Sequence, residues 1–128
     1  MQENLETGRA FSFLRMNARA PKPRQRGVTK IRGPYYTPMG PRYLEDVLET
    51  MGAYVGALKF ASGSFTLMPR RALIDLIEIC HRHEVLVSTG GFIEYVFGEG
   101  AGAVDSYVRE AKDHGFDIIE RIHHDSAG

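Results

Sequence analysis

The sequence predicts an α/β fold built on parallel strands, and three observations predict it. Short apolar runs recur roughly every 30 residues, the length of a strand-plus-helix unit. Each run is followed by a segment with apolar residues at helical spacing. The runs themselves are apolar at nearly every position, which suits parallel strands covered on both faces better than half-exposed antiparallel ones.

Taken in order, residues 28–31 (Val-Thr-Lys-Ile) read as the first strand, ended by Gly33-Pro34. Pro41 opens a helix over 43–51, where Leu44, Val47, Leu48 and Met51 share one face and Gly52 closes it. Residues 54–60 form the second strand and 61–64 a small-residue loop. The next helix runs from near Pro69 to near His83, with Leu73, Leu76, Ile77 and Cys80 on its buried face. Residues 85–88 are the third strand, followed by Thr89-Gly90-Gly91 and an interrupted helical stretch over 93–97 and 103–114. Gly115 ends that stretch, and 116–120 reads as a fourth strand. Strand–helix alternation fits either a doubly wound sheet or a closed barrel. No G-x-G-x-x-G follows a strand, so nothing points to a dinucleotide site.

Composition narrows the class further. The 128 residues suffice for one domain, with 43% hydrophobic and 25% charged residues, as in ordinary globular proteins. No apolar run approaches the roughly 20 residues of a membrane helix. Cys80 is the single cysteine, which excludes an internal disulfide and fits a reducing, cytoplasmic setting. The net charge is zero but unevenly spread: no acidic residue falls between Thr7 and Leu44, where nine lysines and arginines do. Such a stretch reads first as a solvated basic leader, and only secondarily as a nucleic-acid contact.

In parallel α/β proteins functional groups collect at the carboxyl ends of strands. Those positions hold Lys30 and Arg32, then Lys59 with Ser62 and Ser64, then Ser88 to Gly91 with Glu94, and finally Glu120. Lys59, inside an apolar run, is costly to bury unless paired or functional, and desolvation would suit it to proton transfer. Snorkelling of its ammonium to water is the plainer alternative. Glu94 and Glu120 could meet a divalent cation or a lysine. Gly90 and Gly91 permit close backbone approach and positive φ. His81 and His83, near a helix C-terminus, read as structural. His123 and His124 lack the framework of a metal site.

At Lys22-Pro23-Arg24, Gly27-Val28-Thr29, Leu58-Lys59-Phe60, Ser88-Thr89-Gly90-Gly91 with Glu94, and Gly115 to Glu120 the sequence resembles the phosphosulfolactate synthase (ComA) family. Arg32-Gly33-Pro34-Tyr35-Tyr36 resembles its plant heat-stress-associated branch. The resemblance covers roughly residues 20 to 120, in four ordered loops. It implies a TIM-type barrel that adds sulfite to phosphoenolpyruvate with magnesium. It further implies catalytic roles for Lys59, as proton donor, and Glu94. Glu120 would serve as metal ligand, and Arg24, Arg32, Ser62, Gly90 and Gly91 would contact substrate. Two positions depart from the synthase pattern: Arg32-Gly33-Pro34 stands where Asp-Lys-Gly is usual, and Gly56 where an aspartate commonly precedes the lysine. The branch resembled also leaves room for a non-catalytic role in heat stress through protein binding.

These readings divide the chain into a basic leader at 1–26, a partial barrel at 27–120 and a divergent tail at 121–128. A complete eight-stranded barrel takes about 250 residues, so four βα units amount to a half barrel. Its open strand edges lead to the expectation of homo-oligomers. The remaining partners expected, if the chain is active, are the two small anions, phosphoenolpyruvate and sulfite, with no membrane and with nucleic acid disfavoured.

Overall fold

Three short parallel strands lie at the centre of the chain in the computed structural model, which describes residues 11–13, 22, 30–32 and 39–120. β1 (Lys30–Arg32), β2 (Ala57–Lys59) and β3 (Leu86–Ser88) are neighbours in sequence order. α1 (Pro41–Met51) joins the first two strands and α2 (Arg70–Arg82) the second pair, while α3 (Ile93–Phe97) and α4 (Ala101–His114) follow β3. The alternation is the one the periodicity predicts. Arg24, most of the expected leader and the 121–128 tail lie outside the described residues, as do Val28, Thr29 and the side chains of Arg32 and Ser62.

β2 is shorter than the expected 54–60 because 3₁₀ turns occupy its flanks. Gly52–Tyr54 forms one such turn before β2, and Ala61–Leu67 forms a longer one where a small-residue loop is expected. Gly52 also corrects the expected helix stop. Its φ of −57° is right-handed, so α1 tightens into the 3₁₀ turn and does not end on a left-handed glycine. Met51, assigned to the buried face of α1, is exposed, while Leu44 and Leu48 are buried.

The expected fourth strand is reduced to one parallel bridge, Ser88 to Ile118. Its cause is local. The Val87 N–H is taken at 2.8 Å by the Asp117 carboxylate, so a side chain stands where a strand carbonyl would continue the ladder. The Val87 carbonyl then accepts from the N–H groups of both Asp117 and Ile118.

Register sorts the sheet into two faces. Ile31, Leu58 and Val87 stand in one row. Leu58 and Val87 are fully buried, and the row joins the core with Leu44, Leu48, Leu76, Ile77 and Cys80 from the helices. Side chains alternate along a strand, so the opposite face carries Lys30, Ala57 and Leu86 in one row and Lys59 with Ser88 in the next. Cover on that second face is uneven: Leu86 is 45% exposed, whereas Ala57 and Ser88 are fully buried.

α2 and α4 end in the same way. In each, two amide groups turn back onto the last carbonyls: Glu84 N–H to His81 and Val85 N–H to Cys80, then Gly115 N–H to Lys112 and Phe116 N–H to Ala111. This is the Schellman arrangement, which needs a left-handed residue at its centre. Gly115 meets the need with φ 106°, whereas Glu84 adopts φ 58° with a side chain attached.

His83 and His81 are structural, pairing through Nε2 with Glu45 at 2.7 Å and Asp117 at 2.8 Å and tying α2 to its neighbours. Lys22 refines the picture of a solvated leader. Its ammonium donates to the carbonyls of Gly52 (2.7 Å), Val55 (3.0 Å) and His83 (2.6 Å), so at least this cation is bound to the fold.

Candidate functional site

Four side chains meet on the face opposite the core, next to the carboxyl ends of β2 and β3. β2 presents Lys59 and β3 presents Ser88 in the same row, while β1 presents Lys30 one row earlier. The segment after α4 brings Glu120, two residues past the bridge at Ile118, between them. Ser88 Oγ donates to Glu120 Oε2 in a short hydrogen bond, and Lys30 Nζ donates to the same oxygen at 2.9 Å. Lys59 Nζ stands 3.8 Å from Oε1. The Glu120 side chain is only 9% exposed, against 33% for Lys59 and 43% for Lys30.

The charge state of Glu120 follows from these contacts. Burial pushes its carboxyl up, but the Ser88 hydroxyl, the Lys30 ammonium and the charge of Lys59 together outweigh burial. The group is held below its ordinary range, as a carboxylate. Ser88 can only donate to it, because an ionised carboxylate only accepts, and the Ser88 oxygen in turn accepts the Gly90 N–H at 3.0 Å. A hydroxyl has one proton, and this geometry directs it at Glu120.

Gly90 has a second task. Its φ is +66°, and a Cβ placed there would come 2.8 Å from the Phe60 carbonyl and 3.4 Å from Lys59 Cγ. The backbone therefore passes directly under the lysine stem, which lies along it with the ammonium at the open end. Gly91, by contrast, has an ordinary φ of −86°. Ser62 lies on the 3₁₀ segment after β2, and Glu94 is half-buried in the first turn of α3, outside the four-residue cluster. Arg32 pairs with Lys59 through the backbone register. Position at a strand end marks Lys30 and Ser88 in the sequence, but only the geometry shows that both converge on Glu120.

The cluster suits small anions better than cations. Two ammonium groups flank one carboxylate, leaving a net positive charge on a partly open face. A magnesium ion would have to approach Glu120 past both lysines, and among the described residues no three His, Cys, Asp or Glu side chains converge. The described residues therefore do not fit a magnesium site. Nor is Cys80 a nucleophile, since burial, with a smaller contribution from Asp117, pushes its thiol up to about 12.

Fold and cluster together describe an α/β protein that gathers two lysines, a serine and a carboxylate beside its parallel strands. The family model for (2R)-phospho-3-sulfolactate synthase (ComA) matches residues 17–124, and the chain belongs to that family. It is 42% identical over 109 residues to Protein HEAT-STRESS-ASSOCIATED 32 of Arabidopsis thaliana, covering 85% of this chain and 38% of that protein. It is 29% identical over 113 residues to Phosphosulfolactate synthase of Methanothermobacter thermautotrophicus, covering 87% of this chain and 41% of that enzyme. The chain thus spans about two-fifths of the length of these relatives.

Proposed function

We propose that this chain carries the Lys59–Glu120 part of a synthase-type site that handles small anionic substrates, in the family's terms phosphoenolpyruvate and sulfite. The observation that supports it best is the convergence of Lys30, Lys59 and Ser88 on one ionised carboxylate at the strand ends. In this reading the strands are consecutive staves of a parallel barrel, and the Lys30–Lys59–Ser88 face is its interior. Sulfite forms a carbon–sulfur bond at the methylene carbon of phosphoenolpyruvate, and the π electrons move toward the carbon bearing the carboxylate. The Lys59 ammonium then supplies the proton to that carbon, and Glu120 holds the ammonium in place beforehand. Glu94 would act beside Lys59, while Arg24, Arg32, Ser62, Gly90 and Gly91 would surround the substrate. Magnesium would require ligands beyond the described cluster. The test is sulfite-dependent consumption of phosphoenolpyruvate by purified protein, with Lys59→Ala as control. Turnover abolished by that substitution supports the reading, and absence of turnover with magnesium present counts against it.

The 42% identity to a protein named for heat stress favours a second reading. In it the chain is a non-catalytic stress-associated protein that binds other proteins. Suppressed thermal aggregation of a client enzyme, unaffected by Lys59→Ala, would separate this reading from the first.

A further inference from the structure

A second concave site lies away from the strand ends. The 3₁₀ segment Ala61–Leu67, the start of α2 and the length of α4 enclose a groove of about 520 Å³. That is within the roughly 300–1,000 Å³ typical of small-molecule sites. Its wall is apolar, with Phe65, Leu73 and Phe116 all buried, and none of its lining residues belongs to the Lys30–Lys59–Ser88–Glu120 cluster.

The rim is polar and its hydrogen-bond directions can be assigned. His114 Nδ1 lies 2.8 Å from the Glu110 carbonyl, which can only accept, so Nδ1 carries the proton. Nε2 is then the acceptor for Arg70 Nη1 at 3.1 Å. A neutral histidine thus anchors the guanidinium at the mouth. The Glu110 carboxylate is 3.7 Å from Arg70 Nη2, and both side chains are about two-thirds exposed. Such a pair is worth little and is readily exchanged for a better partner. The first turn of α2 holds no acidic residue and its N-cap makes no side-chain hydrogen bond, so no other carboxylate there competes for Arg70.

We propose that this groove binds a small monocarboxylate with an apolar body, the body against Phe65, Leu73 and Phe116 and the carboxylate on Arg70. The ligand replaces the long contact to Glu110 with a paired guanidinium–carboxylate interaction.

The test uses the full chain, 3-phenylpropionate as probe and its neutral amide as control, followed by NMR. The acid should saturate with shifts centred on Leu73, Ala111 and His114. Arg70→Gln should weaken acid binding about fivefold or more, to the level of the amide, because the charge-assisted pair is lost. Glu110→Gln, which removes the competing anion, should tighten it. Both substitutions are at exposed side chains, so an unchanged circular dichroism spectrum is expected. No saturable binding of the acid would overturn the proposal, whether the groove takes no ligand or is filled by another segment or a second copy. Equal affinity for acid and amide, or indifference to Arg70→Gln, would overturn it as well. The outcome does not depend on turnover at Lys59.

Discussion

Glu120 is the residue on which the site turns. Its folded form is held ionised by Ser88, Lys30 and Lys59 against the opposing effect of burial. A carboxyl lowered on folding contributes stability that is fully present above its unfolded value. That contribution is lost as pH falls through the lower folded value. Denaturation midpoints followed from about pH 6 down to 3, across the ordinary carboxylate range, should therefore fall less steeply for Glu120→Gln than for the unaltered chain. At neutral pH the same substitution should cost about 1 kcal/mol, the worth of partly exposed ion pairs and one hydrogen bond. An acid limb of unchanged slope would mean that the carboxylate is not engaged as described. Lys59 and Glu120 are both legible in the sequence, the first as a cation inside an apolar strand and the second as the end of the last apolar run. Ser88 is legible only as a strand-end position, because a serine there has many uses. Only its contact with the ionised Glu120 shows where its proton points.

At the scale of the element, the two Schellman ends offer a matched comparison. Gly115 fits twice over: its φ is 106°, and a Cβ would stand 3.0 Å from Ile77 Cγ2. Glu84 holds the equivalent place in α2 with φ 58°. A left-handed non-glycine costs about 1–2 kcal/mol, part of which glycine returns as chain entropy in the unfolded state. Glu84→Gly should accordingly raise stability by about 0.5–1 kcal/mol, and Gly115→Ala should lower it by about 1–2 kcal/mol or more. Thermal melts of the two variants check the pair, and a Glu84→Gly protein that melts earlier would refute the cap assignment. Helix stops were only partly readable from glycine. Gly115 follows the rule, Gly52 continues the turn, and the stop after α2 carries no glycine at all. The fourth strand misleads for a related reason. Its apolar pattern is real, since Phe116 is buried and Ile119 packs on the core, but Asp117 interrupts the ladder with its side chain.

For the whole molecule, strand order, parallel direction and the buried faces of the helices follow from apolar spacing, which is set by the core. Contacts that join distant segments through single polar side chains leave no such trace. Lys22 is the clearest case, since it binds carbonyls 30, 33 and 61 positions away. Lys22→Met would strand these acceptors, and a loss of about 2 kcal/mol is expected in urea denaturation, the scale of charge-assisted hydrogen bonds. A change within a few tenths would show that the leader contributes nothing to the fold. On the face of the sheet opposite the core, the role proposed for Lys59, steadied by Glu120 and seated over Gly90, is to receive a small anion. Calorimetric titration of phosphoenolpyruvate into the unaltered chain and into Lys59→Ala tests it most directly. Saturable binding is expected, weakening about tenfold or more in the variant through loss of a charged contact, with an unchanged circular dichroism spectrum. Equal affinity in the two proteins, or no binding to either, would contradict it.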